Sequence, residues 1–228
     1  MKHLLAIETS TEACSVALDR DGEVLERFEH APMKHAEIIL PAVTSLLAEA
    51  GVRMSDLDGI AFGRGPGSFT SLRIGIGVVQ GLAWGVDIPV VPVSSLAAVA
   101  QVVADARPLV AGDRIVVAMD ARMNEVFHAP FTYSKDQSIE AAGEEGVSSP
   151  SDVIAEPPFI AAGNVFERYD ELAALAKRAT AAVTDAWPRA GAVAKLARRW
   201  LQDNTALPAG LAQPVYVRNN VAEKPSAR

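Results

Sequence analysis

Apolar residues in this chain form short unbroken runs and a few longer stretches of helical period. Residues 3–9 (HLLAIET) are apolar up to Glu8 and predict a buried central strand. Residues 14–18 alternate weakly and end at Asp19-Arg20-Asp21-Gly22, a hairpin signal, and residues 23–29 follow as a third strand. Residues 35–51 read as a helix with Ile39, Val43, Leu46, Leu47 and Ala50 on one face, Pro41 bending its start and Gly51 ending it. A buried strand at 57–62, another at 90–93 and a helix at 96–105 capped by Ser94 or Ser95 complete the first half.

Residues 63–85 (GRGPGSFTSLRIGIGVVQGLAWG) stand apart. A glycine-rich turn leads into a predicted helix, 68–85, whose one charge is Arg73. A surface helix carries a polar face, and this one offers little beyond Gln80. Gly75, Gly77 and Gly81 each cost roughly 1 kcal/mol against alanine in a helix interior. Close approach of another backbone or helix would offset that cost. The helix is therefore expected to be covered by its own core on one side and by a partner on another.

The second half echoes the first. After a Pro/Gly break at 106–113, residues 114–120 (RIVVAMD) form an apolar strand ending in a carboxylate, as residues 3–9 do. Leu4-Leu5-Ala6-Ile7-Glu8 and Val116-Val117-Ala118-Met119-Asp120 share one pattern: apolar, apolar, Ala, apolar, acid. Strands at 125–133 and 138–141 continue the echo of a βββα unit. A short helix at 151–155, a strand at 159–162, helices at 165–178 and 190–202, and a last strand at 214–218 follow, with a polar tail from 221. The expected division is an N-terminal lobe, 1–105, and a C-terminal lobe, 106–204, with 205–228 returning to the first.

Composition narrows the function. The 228 residues suffice for one large core or two small lobes, and the net charge of −7 argues against nucleic-acid binding by bulk electrostatics. Cys14 is the one cysteine, which excludes an internal disulfide and a cysteine metal cluster and fits a reducing compartment. Met1-Lys2-His3 runs directly into a strand without secretory features, and the apolar run at 72–86 is short and glycine-rich for a membrane span. A cytoplasmic protein with no membrane association is expected.

Several residues carry candidate chemistry. Gly63 to Ser68 sit at a strand-to-helix junction, where backbone N–H groups bind phosphates or a tight turn simply launches the helix. Glu8 and Asp120 end the first strands of the two halves. They could face a central cleft and hold magnesium or nucleotide phosphates, or be ordinary polar strand ends. His3, His30, His35 and His128 form no HxxxH pair, so a zinc hydrolase site is not expected, nor are there hydrolase or dinucleotide signatures. Cys14, Trp187 and Trp200 read as packing residues. Arg189, Lys195, Arg198 and Arg199 form a basic run that is a solvated face or a patch for an acidic partner or RNA.

Taken together, LAIETST, His35-Ala36-Glu37 with Leu40-Pro41, GPGSFTSLRIGIGVVQGLAWG, Asp120-Ala121-Arg122-Met123-Asn124-Glu125-Val126 and Pro214-Val215-Tyr216-Val217-Arg218 resemble the bacterial TsaB (YeaZ) family over nearly the whole chain. One departure is Ser71, where the family has glycine. The resemblance implies an α/β protein of the actin/Hsp70/sugar-kinase (ASKHA) fold, with two lobes from a duplicated βββα core. It implies a non-catalytic subunit that pairs with its paralogue TsaD, the threonylcarbamoyl transferase, and acts with the TsaE ATPase on tRNA next to the anticodon. No catalytic or metal residue and no cofactor is carried over, though ATP or ADP could bind in the complex. A homodimer is expected when the partner is absent, and tRNA is reached only through the complex. The family's pairing surface implies contact residues among His35, Ile38, Ala42 and Ser45 on the first helix and Phe69, Leu72, Arg73 and Ile76 on the second. Rival readings are an ATP-dependent phosphotransferase of the same fold and a metallopeptidase-like protein.

Overall fold

The computed structural model describes residues 1–217. Strands β1 (His3–Glu8), β2 (Ala13–Arg20) and β3 (Glu23–His30) form an antiparallel meander, with Asp21-Gly22 at the β2–β3 turn. Helix α1 (His35–Ala50) follows and ends on Gly51 in the left-handed conformation, φ 65°. Strands β4 (Gly59–Gly65) and β5 (Val90–Ser94) lie parallel to β1, joined by helix α2 (Phe69–Val86). The first sheet has the order β3-β2-β1-β4-β5. Helix α3 (Ser95–Ala106) starts where the Ser94 hydroxyl accepts the Ala97 N–H at 3.1 Å.

The second half repeats this layout. Strands β6 (Arg114–Asp120), β7 (Val126–Tyr133) and β8 (Ile139–Ala141) are antiparallel, and a short β9 (Gly146–Ser148) also pairs with β7. Strands β10 (Ile160–Gly163) and β11 (Ala181–Val183) are parallel to β6, with helix α4 (Asp170–Arg178) between them and α5 (Ala190–Trp200) after them. The order β11-β10-β6-β7-β8 mirrors the first sheet, as expected of an ASKHA-like duplication.

The differences from the sequence reading have local causes. The helix expected at 165–178 begins only at Asp170, because Val165 and Phe166 are buried in a turn against the second sheet. Residues 150–152 make one 3-10 turn in place of the expected helix at 151–155. Strands β9 and β11 have three residues each, too few to carry a period. The expected last strand, 214–218, forms no ladder over its described part, and Arg218 and the tail lie outside the described residues.

The sheets are covered on both faces, which explains strands without polar alternation. Leu5 and Ile7 of β1 face α1 and α2, and Leu4 and Ala6 face α5. In β6, Ile115, Val117 and Met119 share a core with α3, and Val116 and Ala118 share one with α4. The layers run α4, second sheet, α3 with α5, first sheet, α1 with α2. The last helix of each half thus packs mainly on the other half's sheet. Helix α5, grouped above with residues 106–204, rests on β1, β2 and β4.

Helix α2 is long and apolar enough, by length and composition, to cross a membrane. It is nonetheless the crossover between the adjacent parallel strands β4 and β5, so both its ends belong to one sheet. Leu72, Ile76, Val79 and Ala83 fill the core beneath it.

Gly163 is a sensitive joint of the second sheet. Its φ is 144°, and an added Cβ would lie 1.7 Å from the Ala118 carbonyl oxygen. Gly163→Ala is expected to cost about 3 kcal/mol or more in urea unfolding. A loss under about 1 kcal/mol would show that β6 and β10 are less tightly coupled than described here.

Candidate functional site

The C-terminal ends of β1, β4, β6 and β10 converge on a cleft between the two halves, of about 770 Å³. Open α/β sheets place ligands at such strand ends. The cleft is lined on one side by Ser10, Thr11, Glu12 and the start of α2, and on the other by Asp120, Arg122, Asn164 and Arg168. Asp120 is only 15% exposed and is held by Arg168 at 2.8 Å and Arg122 at 3.3 Å. Arg122 also pairs with Glu12 across the cleft. Asp120 therefore faces the cleft as one member of a neutralised cluster, with its charge already met by guanidinium groups.

Glu8 does not face the cleft. It is 1% exposed and lies beneath the floor. Its carboxylate accepts the Ser10 N–H at 2.6 Å and the Ser95 hydroxyl at 2.9 Å. Gly63 makes room for it: an added Cβ there would lie 1.9 Å from Glu8 Oε2. Burial pushes the Glu8 pKa up, against the pull of these hydrogen bonds. The expected cleft-facing pair is thus corrected to a lone Asp120, because a polar strand end is here roofed by the next loop.

The glycine-rich turn is occupied by its own chain. The Ser68 N–H donates to the Ser10 carbonyl at 2.7 Å, and an added Cβ on Gly67 would lie 2.3 Å from that oxygen. The turn fixes the entry angle of α2, the second of the two readings left open above. Arg64 meanwhile reaches the second half and pairs in bidentate fashion with Glu145, both contacts at 3.0 Å.

The histidines are dispersed. His3 Nδ1 lies 3.0 Å from the Asp56 carbonyl, His30 meets Trp187 edge to face, His35 Nε2 lies 3.2 Å from the Ala13 carbonyl, and His128 Nε2 lies 3.1 Å from Ser148 Oγ. Among the described residues, no three His, Cys, Asp or Glu gather where a metal ion could sit. The basic run on α5 is used internally: Arg189 pairs with Glu26, Lys195 with Asp105, Arg198 with buried Asp19 and Arg199 with Asp136. All four are thus paired within the chain.

The second candidate site is the outer surface of α1 and α2. Phe69, Arg73 and Ser45 are exposed, while Ile38 and Ala42 are half-buried. Leu72, Ile76 and His35 are buried at 0%, 5% and 2% exposure. Those three hold the helices to their own core and are not available to a partner. Ile38, Ala42 and Ser45 line a groove of about 310 Å³ with Phe28 of β3. Cys14 lies at that groove, and burial pushes its thiol up to about 12, so it acts as a small apolar residue. The sequence reading missed Trp84, 63% exposed, and Leu40, 48% exposed. Gly77, Gly81 and Gly85 have nothing within 4 Å of an added Cβ, whereas Gly75 is packed against Thr9. The i, i+4, i+8 spacing of the open glycines was the available signal.

Glu8 yields a test of the buried-carboxylate geometry. A raised folded-state pKa means that its contribution is fully present below the unfolded value and is lost as pH rises through the folded one. Glu8→Gln should therefore gain stability relative to the parent as pH is raised from about 4 to about 8. Thermal unfolding at several pH values checks this, and parallel profiles for the two chains would contradict it.

Comparison with known proteins agrees with the fold. A family model described as TsaD, tRNA N6-adenosine threonylcarbamoyltransferase, matches residues 29–226. The tRNA threonylcarbamoyladenosine biosynthesis protein TsaB of Escherichia coli is 37% identical, covering 97% of this chain and 96% of its own. The protein of that name from Haemophilus influenzae is 48% identical over 59% of this chain and 56% of its own. The solved structure of YeaZ from Pseudomonas aeruginosa superposes with a TM-score of 0.85 at 40% identity, covering 95% of this chain and all of that one. The chain therefore belongs to the TsaB (YeaZ) family, within the wider group that the TsaD model describes.

Proposed function

We propose that this chain is a non-catalytic subunit in the formation of N6-threonylcarbamoyladenosine on tRNA. It pairs with a TsaD-type threonylcarbamoyl transferase and acts in the cytoplasm, where it meets tRNA only through the complex. TsaE is a further member of that assembly, and the free chain forms a homodimer through the same face. No cofactor is assigned to the isolated chain, and the complex leaves room for residual ATP or ADP binding.

The observation that carries this reading is the outward side of α2. Gly77, Gly81 and Gly85 open onto empty space beside exposed Trp84, with Leu40 exposed on α1. Glycine inside an exposed helix is destabilising by roughly 1 kcal/mol relative to alanine. A helix from another protein, seated closely on that stripe, would offset the cost. Asp120 is paired with Arg168 and Arg122, and the Ser68 N–H of the glycine-rich turn is bonded to the Ser10 carbonyl, which favours a binding role over phosphate chemistry at these groups.

The test uses positions that are open in the single protomer. Gly77→Leu and Gly81→Leu should leave the protomer folded, with an unchanged circular dichroism spectrum and a cooperative thermal transition, because leucine is the better helix former. Both should reduce co-purification with the transferase by about tenfold or more, through a clash at the seam. Leu72→Glu with Ile76→Glu is not a usable test, since two carboxylates in the core would unfold the protein. Pairing unchanged in both leucine variants would remove this face from the proposal. Stoichiometric zinc, or ATP turnover by the purified chain alone, would favour an enzyme instead.

A further inference from the structure

Residues 206–217 leave the region of α5 and run back over the first half of the molecule. Leu207 and Val90 exchange both backbone hydrogen bonds at 2.8 Å. The 3-10 turn Ala209–Leu211 packs on α2, with Gly210 against the Trp84 ring. Gln80 Nε2 donates to the Ala212 carbonyl at 2.9 Å. Tyr216 accepts from Arg73 Nε at 3.0 Å, and its ring lies 5.4 Å from that of Phe69. The Arg73 guanidinium sits 3.9 Å above the Phe69 ring. The segment therefore follows α2 along most of its length.

The same segment is tied to the other half at two points. Val217 packs against the core that β6 and α3 share. The Val215 N–H donates to the Arg64 carbonyl at 2.8 Å, and the Arg64 side chain holds Glu145 of the second half. Val215, Tyr216 and Val217 also line the cleft.

We infer that residues 206–217 are a strap that couples the opening of the cleft to the outward face of α2. Separation of the halves pulls Glu145 away from Arg64 and the second core away from Val217. Both changes act on Val215 and Tyr216. Release of Tyr216 unstacks Phe69 and frees Arg73, which changes the shape of the first turns of α2 and the position of their one cationic group. By reciprocity, a protein that immobilises Phe69 and Arg73 favours the closed cleft. This last consequence rests on the partner face proposed above; the coupling within the chain does not.

Amide hydrogen exchange on the full chain tests the strap. Glu145 lies on neither α2 nor the strap, and the mechanism makes its loss felt at both. Glu145→Ala should speed exchange about tenfold in residues 70–76 and 213–217. Tyr216→Ala should speed residues 70–76 and, in the reverse direction, the loop around Glu145. Should Glu145→Ala melt the protein, Glu145→Gln removes the charge pair and keeps one hydrogen bond, with the same pattern expected at smaller size. A response confined to residues 143–148 and the neighbourhood of Arg64 would overturn the strap. Measuring transferase pairing on the same variants separates the two proposals. Coupled exchange with unchanged pairing upholds the strap and removes Phe69 and Arg73 from the partner face. Altered pairing without coupled exchange overturns the strap.

Discussion

The seating of α3 and α5 between the two sheets is the constraint on which the rest of the molecule depends. Helix α5 lays Ala190, Ala192, Val193, Ala194 and Ala197 against the first sheet, where small residues allow close approach. Its N-terminus is capped from a distance: Ser15 Oγ accepts the Ala190 N–H at 3.0 Å and Glu26 accepts the Gly191 N–H at 2.9 Å. A carboxylate there also suits the helix dipole. At the other end Arg198 grips buried Asp19 with two hydrogen bonds of 2.7 Å. With α3 placed reciprocally on the second sheet, the two halves form one unit, and the cleft becomes the gap left at their strand ends.

At that gap the acids that end the first strand of each half are both met by groups of the protein itself. Glu8, at the strand end, is folded under the Ser10 loop and stabilised by a hydroxyl and a backbone N–H. Asp120, its counterpart, is neutralised by arginines. The two acids occupy matching positions of the repeat yet have opposite environments, one dry and one in the cleft. The difference arises because Gly63 leaves room for a carboxylate beneath the first loop, whereas the Asp120 loop carries Arg122 and is approached by Arg168.

The proposed function rests on a helix surface rather than on the cleft. The inner side of α2 is an ordinary core face, and its outer side is glycine and one large exposed aromatic ring. One segment, residues 206–217, both packs on α2 and lines the gap. On the function and the strap proposed above, docking of a partner on α2 would be felt at the cleft through this segment.

Much of the fold was legible from residues 1–217 alone. Unbroken apolar runs ending in an acid marked β1 and β6, the Asp-Gly pair marked the hairpin, and Gly51 marked the end of α1. These signals are local: they depend on periodicity and on backbone conformations that one or two residues decide. Three other features were not legible. The burial of Leu72 and Ile76, against the exposure of Trp84, depends on how α2 is rotated over its sheet. The position of Glu8 under the floor depends on a loop closing over it. The packing of α5 on the opposite sheet depends on capping groups more than 160 residues away in sequence. Each is set by contacts between segments distant in the chain, for which a single sequence carries no period, and only the assembled tertiary structure decides them.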